Sequence, residues 1–235
     1  MEEKKSIAAA PVVFEKDSKE TVEEKKVNKI ILAEEKSSTG VILGQAIIFK
    51  GWLQGSSVNI DALLAHCKSL PTKLYPFGLK QNRLLWACGD PGTYHRFRSV
   101  AVEINKWTPE IKEVQSLLKS EFDIYTNFCL LNHYRNGKDS IAPHADGELF
   151  AKNKSVFTLS LGGTRKMKLV SSSTSDNTLP NIEFLVENGD LFWMWGNIQD
   201  KWKHGIDVDL KATIPRHSLT FRSTKREPTV PLTLP

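Results

Sequence analysis

Residues 126–148, TNFCLLNHYRNGKDSIAPHADGE, start as a strand and end as something else. TNFCLLNHY is apolar and aromatic enough to cross a sheet, and RNGK is a turn signal. From Asn132 to Glu148 only Tyr134 and Ile141 are sizeable groups to bury, set among two histidines, two aspartates and a glutamate. A core segment has little use for such a set. His144 and Asp146 stand two apart, and in extended chain residues two apart project the same way. An imidazole and a carboxylate facing one direction can fill two adjacent corners of a metal's coordination sphere.

The chain on either side of this stretch sets the fold class. Downstream, SVFTLSLGG, RKMKLV, NIEFLV, DLFWMWG and HSLTFRS are short runs, mostly rich in aromatic or β-branched residues, divided by turn signals such as SSSTSDN and ENGD. FTLSLGG and SLTFRS alternate, which predicts that each buries one face only. RKMK, with Arg165, Lys166 and Lys168, reads as a solvated edge strand. Upstream, NIDALLAHCKSL has helical spacing, with Asn59 or Asp61 as cap and Pro71 as stop. TPEIKEVQSLLKSEF is a second helix: Thr108 caps it, Pro109 sits in the first turn, and Ile111, Val114, Leu117 and Leu118 share a face. Two helices followed by six or more strands predict an α+β protein, a double-sheet core braced by helices on one side. A Rossmann or P-loop fold fits poorly, because no glycine-rich strand-to-helix turn exists and GDPG at 89–92 lacks the Lys-Ser/Thr that would hold a phosphate.

Residues 1–40 differ in texture. They hold eight Lys, nine Asp or Glu and a single aromatic, Phe14, and end in EEKSSTG, so they are expected to be a disordered leader or linker; KIILA within them leaves a docking role open. The main domain is expected over 41–225, with a flexible tail at 226–235. Outside the leader the chain carries 24 basic against 18 acidic groups, a balance that suits a polyanionic partner. Cys67, Cys88 and Cys129 are odd in number and widely spaced, which argues for reduced thiols in an intracellular compartment, cytoplasmic or nuclear. No apolar run is long enough for a signal peptide or a membrane span.

The HxD pair needs a third ligand, and KWKHGID offers His204 roughly sixty residues on. Two His and one carboxylate on one face of an octahedral ion are the arrangement of non-haem Fe(II) oxygenases, with three positions left open. An HxD alone is commonly a surface pair, so the reading leans on PRHSLTFR. Arg216 and Arg222 lie six apart on an alternating strand and point to one face. Two guanidiniums aimed inward are costly unless an anion lies between them, and a dicarboxylate such as 2-oxoglutarate meets that need.

These blocks in this order, NHYRNGKDSIAPHADGE, SVFTLSLGGTRKMKLV, NGDLFWMWGNIQDKWKHGID and PRHSLTFR, with RLLWACGDPG upstream, resemble the AlkB family of Fe(II)/2-oxoglutarate dioxygenases over about residues 80 to 224. That family includes domains that plant RNA viruses embed in larger proteins. The resemblance implies a double-stranded β-helix (jelly-roll) core, with His144, Asp146 and His204 as iron ligands. Asn132 and Tyr134 would hydrogen-bond 2-oxoglutarate, Arg216 would pair with its distal carboxylate, and Arg222 would lie near its chelating end. Ser218 stands where the family usually has Asn, and a hydroxyl cannot offer an amide's two donors.

The activity implied is removal of N-methyl groups from alkylated bases in single-stranded RNA or DNA, RNA before DNA, using O2 and releasing succinate, CO2 and formaldehyde. Trp86, Tyr94 and Phe97 lie where the family builds its nucleotide lid, and TYHRFRS adds Arg96 and Arg98 as a backbone-tracking strip. Glu148 follows the metal carboxylate where relatives carry an acidic run that helps read the base. Trp193, Trp195 and Trp202 are assigned to the core. The protein is expected to be a monomer or a domain of a larger one. Two other readings stay open: an oxygenase acting on a protein side chain or small molecule, and a non-catalytic nucleic-acid-binding module.

Overall fold

The computed structural model describes residues 28–75, 82–97, 100–147, 154–172 and 180–224. In chain order the elements are β1 (Asn28–Lys36), β2 (Ile42–Lys50), a single 3-10 turn at Trp52–Gly55, α1 (Ile60–Ser69), β3 (Leu84–Gly89), β4 (Arg96–Phe97), β5 (Val100–Ala101), α2 (Pro109–Phe122), β6 (Phe128–Tyr134), β7 (Ile141–His144), β8 (Val156–Gly162), β9 (Arg165–Ser171), β10 (Ile182–Val186), β11 (Leu191–Gly196), the one-turn α3 (Ile198–Lys201), β12 (Trp202–Ile206) and β13 (Arg216–Arg222). Seven strands form the major sheet in the order β1-β2-β11-β8-β13-β6-β3, and four form the minor sheet, β10-β9-β12-β7. From β6 onward the chain winds between the sheets: β7, the pair β9 and β10, and β12 belong to the minor sheet, and the strands between them to the major one. This winding is a double-stranded β-helix, the jelly-roll core the resemblance implied.

Alternation along the major strands sorts side chains into two layers. Leu131, Phe157, Leu159, Leu219 and Phe221 face outward beneath Leu63 of α1 and Val114 and Leu118 of α2. Val156, Phe192 and Met194 face inward against Met167, Leu169, Trp202 and Ile206. The helices form where their ends are chemically marked. Asn59 Oδ1 accepts the Ala62 N–H at 2.9 Å, and α1 stops two residues before Pro71. Thr108 occupies the cap position of α2, but its hydroxyl makes no capping bond; Pro109 starts the helix.

Three expectations are corrected. The leader does not reach residue 40: Asn28–Lys36 pairs with β2 along its length, with Ala33 buried and Leu32 packed against the inner core. Residues 1–27 and the tail at 225–235 lie outside the described residues. β8 and β13 are buried on both faces, since their polar alternate residues face the second sheet and not solvent. β9 is an interior strand, between β10 and β12, and Arg165 on it is 1% exposed. Lys166 and Lys168 do reach carboxylates at the surface, Glu183 and Asp207. All three cysteines are free and buried. Among the described residues no helix is long and apolar enough to cross a membrane.

Candidate metal and keto-acid site

β7 and β12 pair antiparallel with His144 directly opposite His204, which is how ligands sixty residues apart meet. Gly205 permits the close approach: a Cβ there would lie 2.9 Å from the Ile141 carbonyl oxygen and from the Pro143 nitrogen. Asp146 follows β7, its own N–H donating to Gln199 Oε1 at 2.8 Å from α3. One ligand atom from each of His144, Asp146 and His204 lies within 4.8 Å of the others.

The protonation pattern suits a cation. Nδ1 of His144 lies 3.0 Å from the Ala142 carbonyl oxygen, so that nitrogen carries the proton and Nε2 keeps its lone pair. Burial holds both imidazoles below their usual pKa, His204 at about 3, so both are neutral ligands at physiological pH. Burial alone would raise the Asp146 carboxyl, but Arg222 and the two histidines outweigh it and bring it to about 2. Asp146 Oδ1 accepts from Arg222, whereas Oδ2 has no hydrogen-bond partner and faces His204 Nε2 at 3.7 Å. A buried carboxylate oxygen without a donor, beside two imidazoles, is a donor set that fits a divalent ion.

These side chains open on a pocket of about 480 Å³, whose other wall carries Asn132, Tyr134, Arg216 and Ser218. Arg216 is 1% exposed, donates to Ser160 Oγ at 2.8 Å, and lies over the Tyr134 ring at 5.3 Å. Its Nε has no partner, and no carboxylate among the described residues pairs with it. Burial lowers its pKa to about 10, still charged at neutral pH. A buried guanidinium short of acceptors fits a carboxylate ligand. Asn132 is held from behind, its Oδ1 accepting from Arg83 Nε at 2.7 Å. Its amide reaches Ser218 Oγ only at 3.4 Å.

The residues expected from sequence divide accordingly. His144, Asp146, His204, Asn132, Tyr134, Arg216 and Ser218 share the pocket, and Arg222 stands behind Asp146. Trp86 does not belong with them. It pairs with Leu131 on the helix-facing side of the sheet and is packed in that core, because residues 85 and 87, not 86, carry the phase that faces the pocket. Arg96 lies over the Tyr94 ring at 5.0 Å, with Arg96 exposed. Phe97 has its backbone in β4, but its side chain, and all of Arg98 and Glu148, lie outside the described residues. Sequence reasoning missed Arg83, His95 and Arg165. Arg83 could have been found from its phase, in step with Leu85 and Ala87. Arg165 donates to the carbonyls of Asp139 at 3.0 Å and Asp207 at 2.6 Å, tying the loop before β7 to the loop after β12. Nothing in RKMK signals that contact.

A sequence model of the 2OG-Fe(II) oxygenase superfamily matches residues 73–226. DNA oxidative demethylase ALKBH2 of Bos taurus is 27% identical over 147 residues, 59% of this chain and 53% of that protein. Alpha-ketoglutarate-dependent dioxygenase alkB homolog 3 of Homo sapiens is 29% identical over 145 residues, 59% of this chain and 50% of its own length. The uncharacterized protein R406 of Acanthamoeba polyphaga mimivirus is 29% identical over 112 residues, 47% of this chain and 54% of that protein. The chain thus spans about half the length of these curated relatives. The solved structure of OsALKBH1 superposes with a TM-score of 0.53 at 18% identity, covering 76% of this chain and 97% of that one, which bears on the fold alone.

Proposed function

Because this chain belongs to the 2OG-Fe(II) oxygenase superfamily, we propose that it is an oxidative demethylase of N-methylated bases in single-stranded nucleic acid. The observation that carries this reading is one pocket with the His144–Asp146–His204 triad on one wall and, on the other, the buried Arg216, which has no carboxylate partner among the described residues. His144, Asp146 and His204 would hold Fe(II). Arg216, steadied by Ser160 and Tyr134, would take the distal carboxylate of 2-oxoglutarate, and Asn132 and Ser218 would line its length. When bound, iron with 2-oxoglutarate and O2 supplies oxidation of a C–H bond. For an N-methyl group the balance is one O2 and one 2-oxoglutarate consumed, one succinate and one CO2 formed, and the methyl carbon released as formaldehyde with the nitrogen regaining a proton.

This chain's own residues supply orientation and dryness. Arg83 fixes Asn132, Arg222 fixes Asp146, and Leu130, Met167 and Ile206 keep the pocket wall apolar. A base must leave its stack to reach such a recess, which favours single strands. The Tyr94–Arg96 pair supports contact with a strand outside the recess, and the excess of basic groups beyond residue 40 supports a polyanion. The name of the ALKBH2 relative, a DNA oxidative demethylase, favours nucleic acid over a protein or small-molecule substrate. RNA is proposed ahead of DNA on the ease of presenting a single strand, with Phe97 and Glu148 as further base contacts.

The test is incubation of the protein with Fe(II), 2-oxoglutarate and ascorbate, offering methylated RNA and DNA oligonucleotides. Formaldehyde and base mass are then followed. Methyl loss matched by succinate supports the assignment. If methyl groups persist while 2-oxoglutarate is consumed, the nucleic-acid substrate is wrong and the oxygenase class survives.

A further inference from the structure

We propose that His95 is a positioning residue for the metal carboxylate, acting through Arg222; this rests on the assignment of the triad as the iron site. Asp146 can offer Oδ2 to a metal only while Oδ1 is held elsewhere, and Arg222 holds it. Arginine has a long, rotatable stem, so its own plane must be fixed before it can fix anything. Arg222 is 2% exposed, and its Nε has no hydrogen-bond partner. Its Nη1 is committed to Asp146, and Nη2 donates to His95 Nε2 at 3.0 Å. One phenyl ring supports both partners: Phe128 lies 5.5 Å beneath the guanidinium and 4.9 Å from the imidazole centroid.

Arginine has only donors, so the contact requires an unprotonated nitrogen on His95. Burial, with Arg222 adding to it, pulls the His95 pKa down to about 3, which keeps Nε2 an acceptor at neutral pH. The imidazole is anchored in turn through its own backbone, whose carbonyl accepts the Val102 N–H at 3.0 Å. His95 stands between Tyr94 and Arg96, the pair proposed to meet nucleic acid. A strand seated on that pair therefore bears on a residue one side chain removed from the metal carboxylate. Neither the triad nor the keto-acid contacts require this connection.

The test separates shape from hydrogen bonding and needs no nucleic acid. His95→Phe keeps a planar ring and removes the acceptor, while His95→Gln keeps an acceptor. Mn2+ is titrated into the metal-free full chain, and free Mn2+ is read by electron paramagnetic resonance. Loss of an outer-shell partner weakens metal binding by about tenfold or more, so His95→Phe should lose about that much and His95→Gln should stay within about threefold of the parent. Where the Phe variant does not fold, His95→Leu gives the same comparison. In an Arg222→Lys background the His95→Phe loss should vanish, because the intermediary is gone. Parent-like Mn2+ affinity in folded His95→Phe, or additive losses in the double variant, would overturn the proposal. A parent protein that binds no Mn2+ would sink the iron-site assignment itself.

Discussion

Strands β6, β8 and β13 are buried on both sides, yet their two faces are built from different chemistry. The helix-facing side carries Cys129, Leu131, Phe157, Leu159, Leu219 and Phe221, packed in one apolar cluster. The side facing the minor sheet carries Asn132, Ser160, Arg216, Ser218 and Arg222, all less than 9% exposed. Dispersion and water exclusion stabilise the first face. The second would be a liability in a protein with no ligand, since each buried guanidinium costs several kcal/mol unless paired. Arg222 has Asp146, but Arg216 has no carboxylate partner among the described residues and leans on the side chains of Ser160 and Tyr134. On the proposed function the polar face is the binding surface and the apolar face its scaffold.

That contrast is open to attack. The largest effect is expected from His204→Ala, on the β12 wall that the polar face looks onto, which removes one of the three proposed metal ligands. Metal binding and turnover should be lost while thermal unfolding of the metal-free protein stays close to the parent, checked by calorimetry alongside metal titration. A protein that unfolds with the loss of His204 would make the residue structural. Arg216→Ala comes next. It should raise the 2-oxoglutarate concentration needed for half-maximal turnover by about 100-fold, leaving Fe(II) affinity nearly unchanged.

The apolar face should answer in the opposite way. Leu219→Ala, at a fully buried position beside Arg216's strand neighbours, should cost about 2–5 kcal/mol of stability, measured by urea unfolding, with the metal affinity of the folded fraction intact. The smallest effect concerns a polar pair on this face, His133 and His217. His217 is fully buried, stacked on His133 at 4.2 Å, and neither ring nitrogen has a hydrogen-bond partner. Burial, then the positive neighbours His133, Lys68 and Arg216, lower its pKa to about 4. The unfolded chain thus binds a proton near pH 6.5 that the folded protein refuses until about pH 4, and stability falls as pH drops through that window. His217→Leu should move the acid-unfolding midpoint to lower pH.

What could be read from sequence follows the same division. Strand alternation and turn chemistry placed β6, β8, β9, β10, β11 and β13, and the order of blocks around HAD, WKHG and PRHSLTFR singled out His144, Asp146, His204 and Arg216, which the fold brings to one pocket. Alternation also misled. In SLTFRS it predicts one buried face where the fold has two, because a polar residue on a strand reads the same whether it meets water or a sequestered ligand. Short β7 and β12 were not separable from their loops, since IAPH and WKHGI carry too few apolar groups. Trp86 failed by a single step of phase, which composition does not encode. Arg165 was invisible because its partners are backbone carbonyls from two distant loops. Helix caps were right in position, but whether Thr108 donated or accepted anything depended on tertiary packing.

The most direct measurement is the visible spectrum of the protein under anaerobic conditions as Fe(II) and then 2-oxoglutarate are added. A keto-acid chelating Fe(II) produces a metal-to-ligand charge-transfer band. The account predicts that band in the parent protein, at much higher 2-oxoglutarate in Arg216→Ala, and not at all in Asp146→Ala. No band in the folded parent at saturating Fe(II) and 2-oxoglutarate would contradict it.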